Sequence, residues 1–316
     1  MAQGKGKVAW KDVCKPKDEG GLVIRSIQTR NKTLTAFHIW SILTNRDSLW
    51  VKWIHTYRLG SKNFWQVKVP WDALISWRRI LGIREEFRMF FRTDISNGRD
   101  VSLWYDNWLP LGPLASRLSS RDFHNMDGTV LVLNDSVEDK IFWVSRDGKK
   151  SNYKESIVWE DFRAVNPPVN WYHLTWFSNS IPKHSFILWL AIRRKLMTQD
   201  RMQFWHHTEN LCCVFCHLQL ESVDHLFFEC PFSSGICNFF LSKGLNFPFR
   251  ESKLLNVVNK LLLGCLIYVI WQERNLRIFQ SQFRSIDQIC ADIESTVGYK
   301  ILSLRIRGRI FHGSCL

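Results

Sequence analysis

Between residues 212 and 230 the chain reads CCVFCHLQLESVDHLFFEC, with four cysteines and two histidines in nineteen positions; the other five cysteines are scattered through the rest of the 316-residue sequence. Thiols and imidazoles at short, uneven spacings restrict the fold, because two ligands on one tight turn and two on the next element must converge within about 2.0–2.3 Å of one metal ion. The set that best meets this demand is Cys213-x2-Cys216-x8-His225-x4-Cys230. Cys213 and Cys216 form a knuckle whose backbone N–H groups can face the sulfurs, and His225 and Cys230 return about one helical turn later. Three thiolates and a neutral imidazole leave no open position, so the chemistry is that of a structural zinc rather than a catalytic one, with binding worth roughly 10–16 kcal/mol to a small zinc-dependent fold. Sulfur ligands select zinc over magnesium or calcium. Within this reading Cys212 can stand in for Cys213, His217 for His225, and Cys237 lies close enough to compete. The plainer alternative is that these cysteines are small buried hydrophobes among Phe215, Leu226, Phe227 and Phe228. A nucleophilic Cys–His pair is a poorer fit, since nothing nearby reads as an orienting or oxyanion-stabilising group.

The nine cysteines are an odd number and no apolar leader precedes the lysine-rich opening residues, a pattern of an intracellular protein with metal-bound or free thiols. Forty-three Lys and Arg against 29 Asp and Glu give a net charge of +14, which favours a polyanionic partner, RNA or DNA, through phosphate contacts. The longest apolar run, Leu261 to Trp271, is shorter than a membrane span and reads as a buried helix; no membrane partner is expected.

Apolar residues at spacings of three and four predict two helices in LTAFHIWSILTNRDSLWVKWIHTY, broken near Asn45, and a further one in DALISWRRILGIREEFRMFFR with Asp72 as its N-cap. Asn97-Gly98 between two alternating runs predicts a hairpin, as does Asp147-Gly148. SIVWEDFRAV reads as a helix stopped by Pro167-Pro168, and IPKHSFILWLAIRRKL as a helix carrying Arg193, Arg194 and Lys195. Helices continue after Cys230 to a basic tail with Arg305, Arg307 and Arg309. The expected fold class is α+β, mainly helical with small β-hairpins and one zinc knuckle.

The ordered combination of WYHLTWFSNSIPKHSFILWLAIRRKLMTQDRM, CVFC, ESVDHLFFECPFSS and VIWQERNLRIF resembles the zinc-binding domain that follows the reverse transcriptase of plant non-LTR (LINE-type) retrotransposons. VAWKDVCKPKDEGGLVIRSI and NGRDVSLWYDNWLPLGPL look like the segment between polymerase and zinc domain in the same elements. The resemblance implies that Cys213, Cys216, His225 and Cys230 are the metal ligands. Residues 110–136, rich in Pro, Gly, Ser and Asp, read as a linker, and the resemblance implies residues 1–109 as a helical and hairpin region of post-polymerase type, 137–240 as the zinc-binding domain, and 241–316 as a C-terminal helical region with a basic tail.

The sequence departs from that family in lacking any adjacent Asp-Asp pair, which the polymerase uses to hold two metals, and in having little sequence after residue 280 for a ribonuclease H domain. The expectation is therefore a non-catalytic, zinc-binding, nucleic-acid-binding module, with Arg193, Arg194, Lys195 and Arg201 on phosphates and exposed aromatics stacking on unpaired bases. Its rival is a structural or protein-interaction remnant. The second basic set, Arg78, Arg79, Arg84, Arg88 and Arg92, is interrupted by Glu85 and Glu86 and reads as a solvated helix face.

Overall fold

A computed structural model describes residues 8–118, 136–202, 211–243 and 253–306. They fall into two compact units, one of residues 25–165 and one built from both sides of it, residues 1–24 together with 166–316.

The unit of residues 25–165 is organised around α2 (Ile27–Leu43), which presents Ala36, Ile39 and Ile42 to a core completed by α3 (Leu49–Ile54) and α4 (Ile75–Arg88). The predicted break between the first two helices is present: Asn45 takes a φ of +44°, and Ser48 caps α3 by accepting the Val51 N–H at 3.2 Å. Asp72 does not cap α4, whose first turn begins after Leu74; its carboxylate instead lies 3.6 Å from Arg58. Strands β1 (Phe91–Asp94), β2 (Lys140–Val144) and β3 (Lys150–Ser151) form an antiparallel sheet in that order, with Phe91 opposite Trp143 and Trp143 opposite Ser151. The Asp147-Gly148 hairpin thus joins β2 to β3. The Asn97-Gly98 hairpin does not form, because β1 takes the distant β2 as its partner. The Asp139 carboxylate then accepts the N–H groups of Ser96, Gly98 and Asp100, giving that backbone an alternative to a ladder.

Trp143 explains why residues 137–165 belong with the N-terminal helices. Its indole is fully buried, stacked 5.0 Å from Phe90 and edge-on to Phe91, and it donates to Asp161 of α5 (Glu155–Phe162) at 2.6 Å. An aromatic cluster of this kind contributes about 0.5–1.5 kcal/mol per ring pair beyond burial. The compact units have their boundaries at 24/25 and 165/166, so residues 137–165 lie in the same unit as α2–α4. Most of the expected linker, residues 119–135, lies outside the described residues. Helix α5 ends at Phe162, four residues before the proline pair.

The second unit is built on α10 (Lys253–Gln280), which packs against α7 (Pro182–Ile192) and α11 (Ile286–Ile306). Between them stand α6 (Tyr172–Thr175), α8 (Gln199–Met202) and α9 (Pro231–Ser242). By length and composition α10 is apolar enough to cross a membrane; here Leu261, Leu262, Cys265, Leu266 and Ile270 are buried against Leu188, Trp189 and Ile293. Pro182 occupies the first turn of α7, where its missing N–H costs no hydrogen bond.

The same core includes the N-terminal segment, which carries α1 (Trp10–Val13). The Gly20 carbonyl accepts the indole N–H of Trp189 at 2.8 Å and a guanidinium N–H of Arg193 at 3.0 Å, while the buried Glu19 carboxylate accepts two N–H bonds from Asn166. Gly21 is required at the turn that makes this possible: a Cβ there would lie 2.0 Å from the Lys15 carbonyl oxygen.

Candidate metal centre

The knuckle starts as a short antiparallel bridge between Cys212 and Leu220, closed by Cys213 N–H to the Gln219 carbonyl at 2.7 Å and Glu221 N–H to that of Leu211 at 3.0 Å. The turn it encloses brings His217 N–H to the Cys213 carbonyl at 2.8 Å, with His217 at a φ of +56°. In this turn the N–H groups of Phe215 and Cys216 face the Cys213 sulfur, and those of Leu218 and Gln219 face Cys216.

The second pair of ligands stands on a single π-helical turn, His225–Glu229. An α-helix would carry residue i+5 about 140° around the axis from residue i. The wider turn instead closes with the Cys230 N–H on the His225 carbonyl at 2.8 Å, and this returns Cys230 to the face of His225. Ser222 accepts the His225 N–H at 3.0 Å and starts the turn. Cys230 is also the N-cap of α9, so the Phe232 and Ser233 N–H groups at that helix's first turn point at its sulfur.

The ligand atoms of Cys213, Cys216, His225 and Cys230 all lie within 4.8 Å of one another. The Cys213 and Cys230 sulfurs are 3.8 Å apart, which is the edge of about 3.8 Å that ~2.3 Å bonds to a tetrahedral zinc produce. His225 Nε2 lies 3.3 Å from the Cys216 sulfur, and its Nδ1 is buried without a hydrogen-bond partner, 3.9 Å from the Glu229 carboxylate. Burial pushes the Cys213 thiol up to about 12 and raises Cys230 as well. Burial opposes ionisation of Cys216 too, but the Leu218 and Gln219 N–H groups and His225 outweigh it and hold that thiol down at about 6. One thiolate is thus accommodated by the protein itself. Three require a cation in their midst, and the donor set fits zinc.

Of the residues that compete on spacing, Cys212 carries the bridge, His217 is exposed on the knuckle, and Cys237 is on α9; none belongs to the four-membered cluster.

Two buried ion-pair systems fix the knuckle to α10. Glu221, between the two ligand pairs, has no exposed surface; it accepts Arg274 at 2.6 Å and the Gln199 N–H at 3.0 Å. Glu273, equally buried, receives Arg277 at 2.7 Å and Arg284 at 2.8 Å. The Arg277 guanidinium in turn lies 4.9 Å from the ring of Phe215, which stands between Cys213 and Cys216, and 4.3 Å from that of Phe232, just after Cys230. The ERN motif was visible in the sequence, but its role was not. The available signal was two adjacent charges in a long apolar helix.

The expected phosphate contacts are arranged differently from one another. Helix α7 ends at Ile192, and Arg194 turns the chain at a φ of +52°, so the basic run caps the helix rather than lining it. Arg193 is committed to Gly20 and to Asp12 at 3.3 Å, and packs over Trp189. Arg194 is exposed and paired with Asp224 at 2.8 Å, and Arg201 donates to the Arg194 carbonyl. Lys195 is half-buried and has no ion pair among the described residues. Arg84, Arg88 and Arg92 do not form a solvated face: they donate to the carbonyls of Phe64, Tyr105 and Leu109. Arg307 and Arg309 lie outside the described residues, as does the side chain of Arg305.

Residues 153–236 match the protein family described as zinc-binding in reverse transcriptase. The chain is also 24% identical over 270 residues to an Arabidopsis thaliana protein named "Putative ribonuclease H protein At1g65750", an alignment covering 72% of this chain and 43% of that protein. The chain thus spans less than half the length of this relative. No solved structure matches. All four clustered residues lie inside the matched segment, so the part of this chain that holds them is similar to the zinc-binding region of reverse transcriptases.

Proposed function

We propose that Cys213, Cys216, His225 and Cys230 hold one structural zinc ion, and that the chain is a non-catalytic, nucleic-acid-binding part of a polypeptide of the reverse-transcriptase kind. The observation that carries the zinc is the closed donor set: four ligand atoms within 4.8 Å, with paired backbone N–H groups on each of the three sulfurs. No ligand position is left for a substrate, so the ion's contribution is to the fold. The nucleic-acid part rests on the net charge of +14 and on exposed cations such as Arg194.

Elemental analysis of the purified protein is expected to find about one zinc per chain, with the metal lost in Cys216→Ser and His225→Ala and retained in Cys212→Ser and Cys237→Ser. Zinc-free wild-type protein that keeps its fold would refute the assignment. For the second part, the zinc-loaded chain is expected to shift labelled RNA or single-stranded DNA in a gel, less so as salt rises. No shift by folded, zinc-loaded protein would favour the rival reading of a structural or protein-interaction remnant.

A further inference from the structure

A strong surplus of positive charge lies away from the Cys/His cluster in sequence. Residues 46–79 hold seven Lys and Arg against two Asp. Both aspartates are already engaged, Asp47 with Lys52 at 2.7 Å and Asp72 with Arg58 at 3.6 Å. Lys62, Lys68 and Arg79 remain exposed, with no carboxylate partner among the described residues.

Two exposed aromatic rings belong to the same stretch of chain. Trp71 is 93% exposed and Tyr57 is 72% exposed. Tyr57 lies 6.1 Å from Trp53, over which the Arg58 guanidinium packs at 5.2 Å; Arg58 reaches Asp72, the neighbour of Trp71. Arg58 thus ties the helical turn that carries Tyr57 to the segment that carries Trp71. The exposure of Trp71 does not come from a loose loop, because Val67 and Ala73 on either side are buried and Arg78 holds the Trp71 carbonyl at 2.9 Å. An indole costs free energy when left bare in water, and here the loop is pinned so as to leave it bare.

We propose that the surface of this stretch, with Trp71 and Tyr57 as stacking platforms and Lys62, Lys68 and Arg79 as phosphate contacts, binds single-stranded nucleic acid. Flat rings flanked by unpaired cations suit unstacked bases on a polyanionic backbone, whereas the core of a protein interface is depleted of charge. The inference rests on the nucleic-acid reading given above and locates its main surface in residues 46–79 instead of at Arg193–Arg201.

The test is fluorescence anisotropy of labelled 20-nucleotide oligo-U and oligo-dT with the full, zinc-loaded chain. Trp71→Ala is expected to weaken binding about tenfold, and Trp71→Phe, which keeps a ring, by much less. Lys68→Ala with Arg79→Ala is expected to lower the log–log salt slope by about 1.4, at ~0.7 per lost contact. A duplex is expected to bind with little response to Trp71. Circular dichroism and zinc content check that each variant is folded. If the wild type binds both oligonucleotides and Trp71→Ala binds them equally well, this surface is excluded and the nucleic-acid reading survives. A wild type that binds neither overturns both. Loss of self-association in Trp71→Ala, with oligonucleotide affinity intact, would make the face a contact between copies of the chain and sink the proposal.

Discussion

Glu221 and Arg274 illustrate how single residues secure the Cys/His cluster without belonging to it. Two charges with essentially no solvent contact are tolerable only together, and removing one leaves the other buried and unpaired. Glu221→Ala is expected to destabilise the protein by about 3–5 kcal/mol in denaturant titrations, while the pair change Glu221→Met with Arg274→Leu recovers most of that loss; an unaltered midpoint in Glu221→Ala would contradict the pairing. His184 provides a pH dependence of definite sign. Its ring is buried against Tyr268 at 4.4 Å, and burial, with Lys183 beside it, lowers its pKa from 6.5 to about 4. The unfolded chain therefore binds the proton more readily. The stability contributed by the neutral ring is fully present above pH 6.5 and is lost as pH falls towards 4, on the order of 3 kcal/mol. Denaturant midpoints of the wild type are expected to drop more steeply across pH 6.5–4.5 than those of His184→Phe, and parallel curves would show that His184 is not the group. The cluster of Cys213, Cys216, His225 and Cys230 was the best-spaced set in the sequence, and it is the set that the fold gathers. The pairing of Glu221 with Arg274 could not be read there, since a buried ion pair between residues 53 apart has no local signature.

At the scale of elements, the legible features were those determined by near neighbours. The break at Asn45, the Asp147-Gly148 hairpin and the buried helix through Leu261–Trp271 all follow from local turn chemistry or periodicity. The Asn97-Gly98 hairpin failed because a strand from forty residues away supplied a better partner for Phe91, one bearing Trp143. The x4 spacing of His225 and Cys230 announced a nearby turn but not its width. That width is testable: deleting the exposed Phe228 shortens the spacing to x3, which an α-turn would tolerate and the π-turn would not. Zinc is expected to be lost in the deletion and kept in Phe228→Ser, as measured by a chromophoric chelator. Equal zinc content in both would mean that the turn adapts.

Over the whole molecule, the polar stretch at residues 110–136 falls within one compact unit, because Trp143 and Val158 complete the core begun by α2. Composition registers a polar stretch; it does not register which apolar faces meet across it. The family match, residues 153–236, likewise ends before α10, which supplies Arg274, Arg277 and much of the core around the cluster. A peptide of residues 153–236 is therefore expected to remain unfolded by circular dichroism and amide exchange even with zinc, whereas residues 8–24 joined by a flexible linker to 166–306 fold and retain the metal. A folded, zinc-bound short peptide would show that the knuckle is self-sufficient. The hydrogen bond from Trp189 to Gly20 has a consequence in time. During synthesis Gly20 emerges first, and its partner follows 169 residues later, roughly ten to thirty seconds at ordinary ribosomal rates. In that interval the intervening residues 25–165 have all been made and can fold on their own contacts, while the opening segment waits without a surface to cover. Residues 8–24 are thus ordered only after the elements that follow them, and a nascent chain halted before α10 would leave them available to chaperones or proteases.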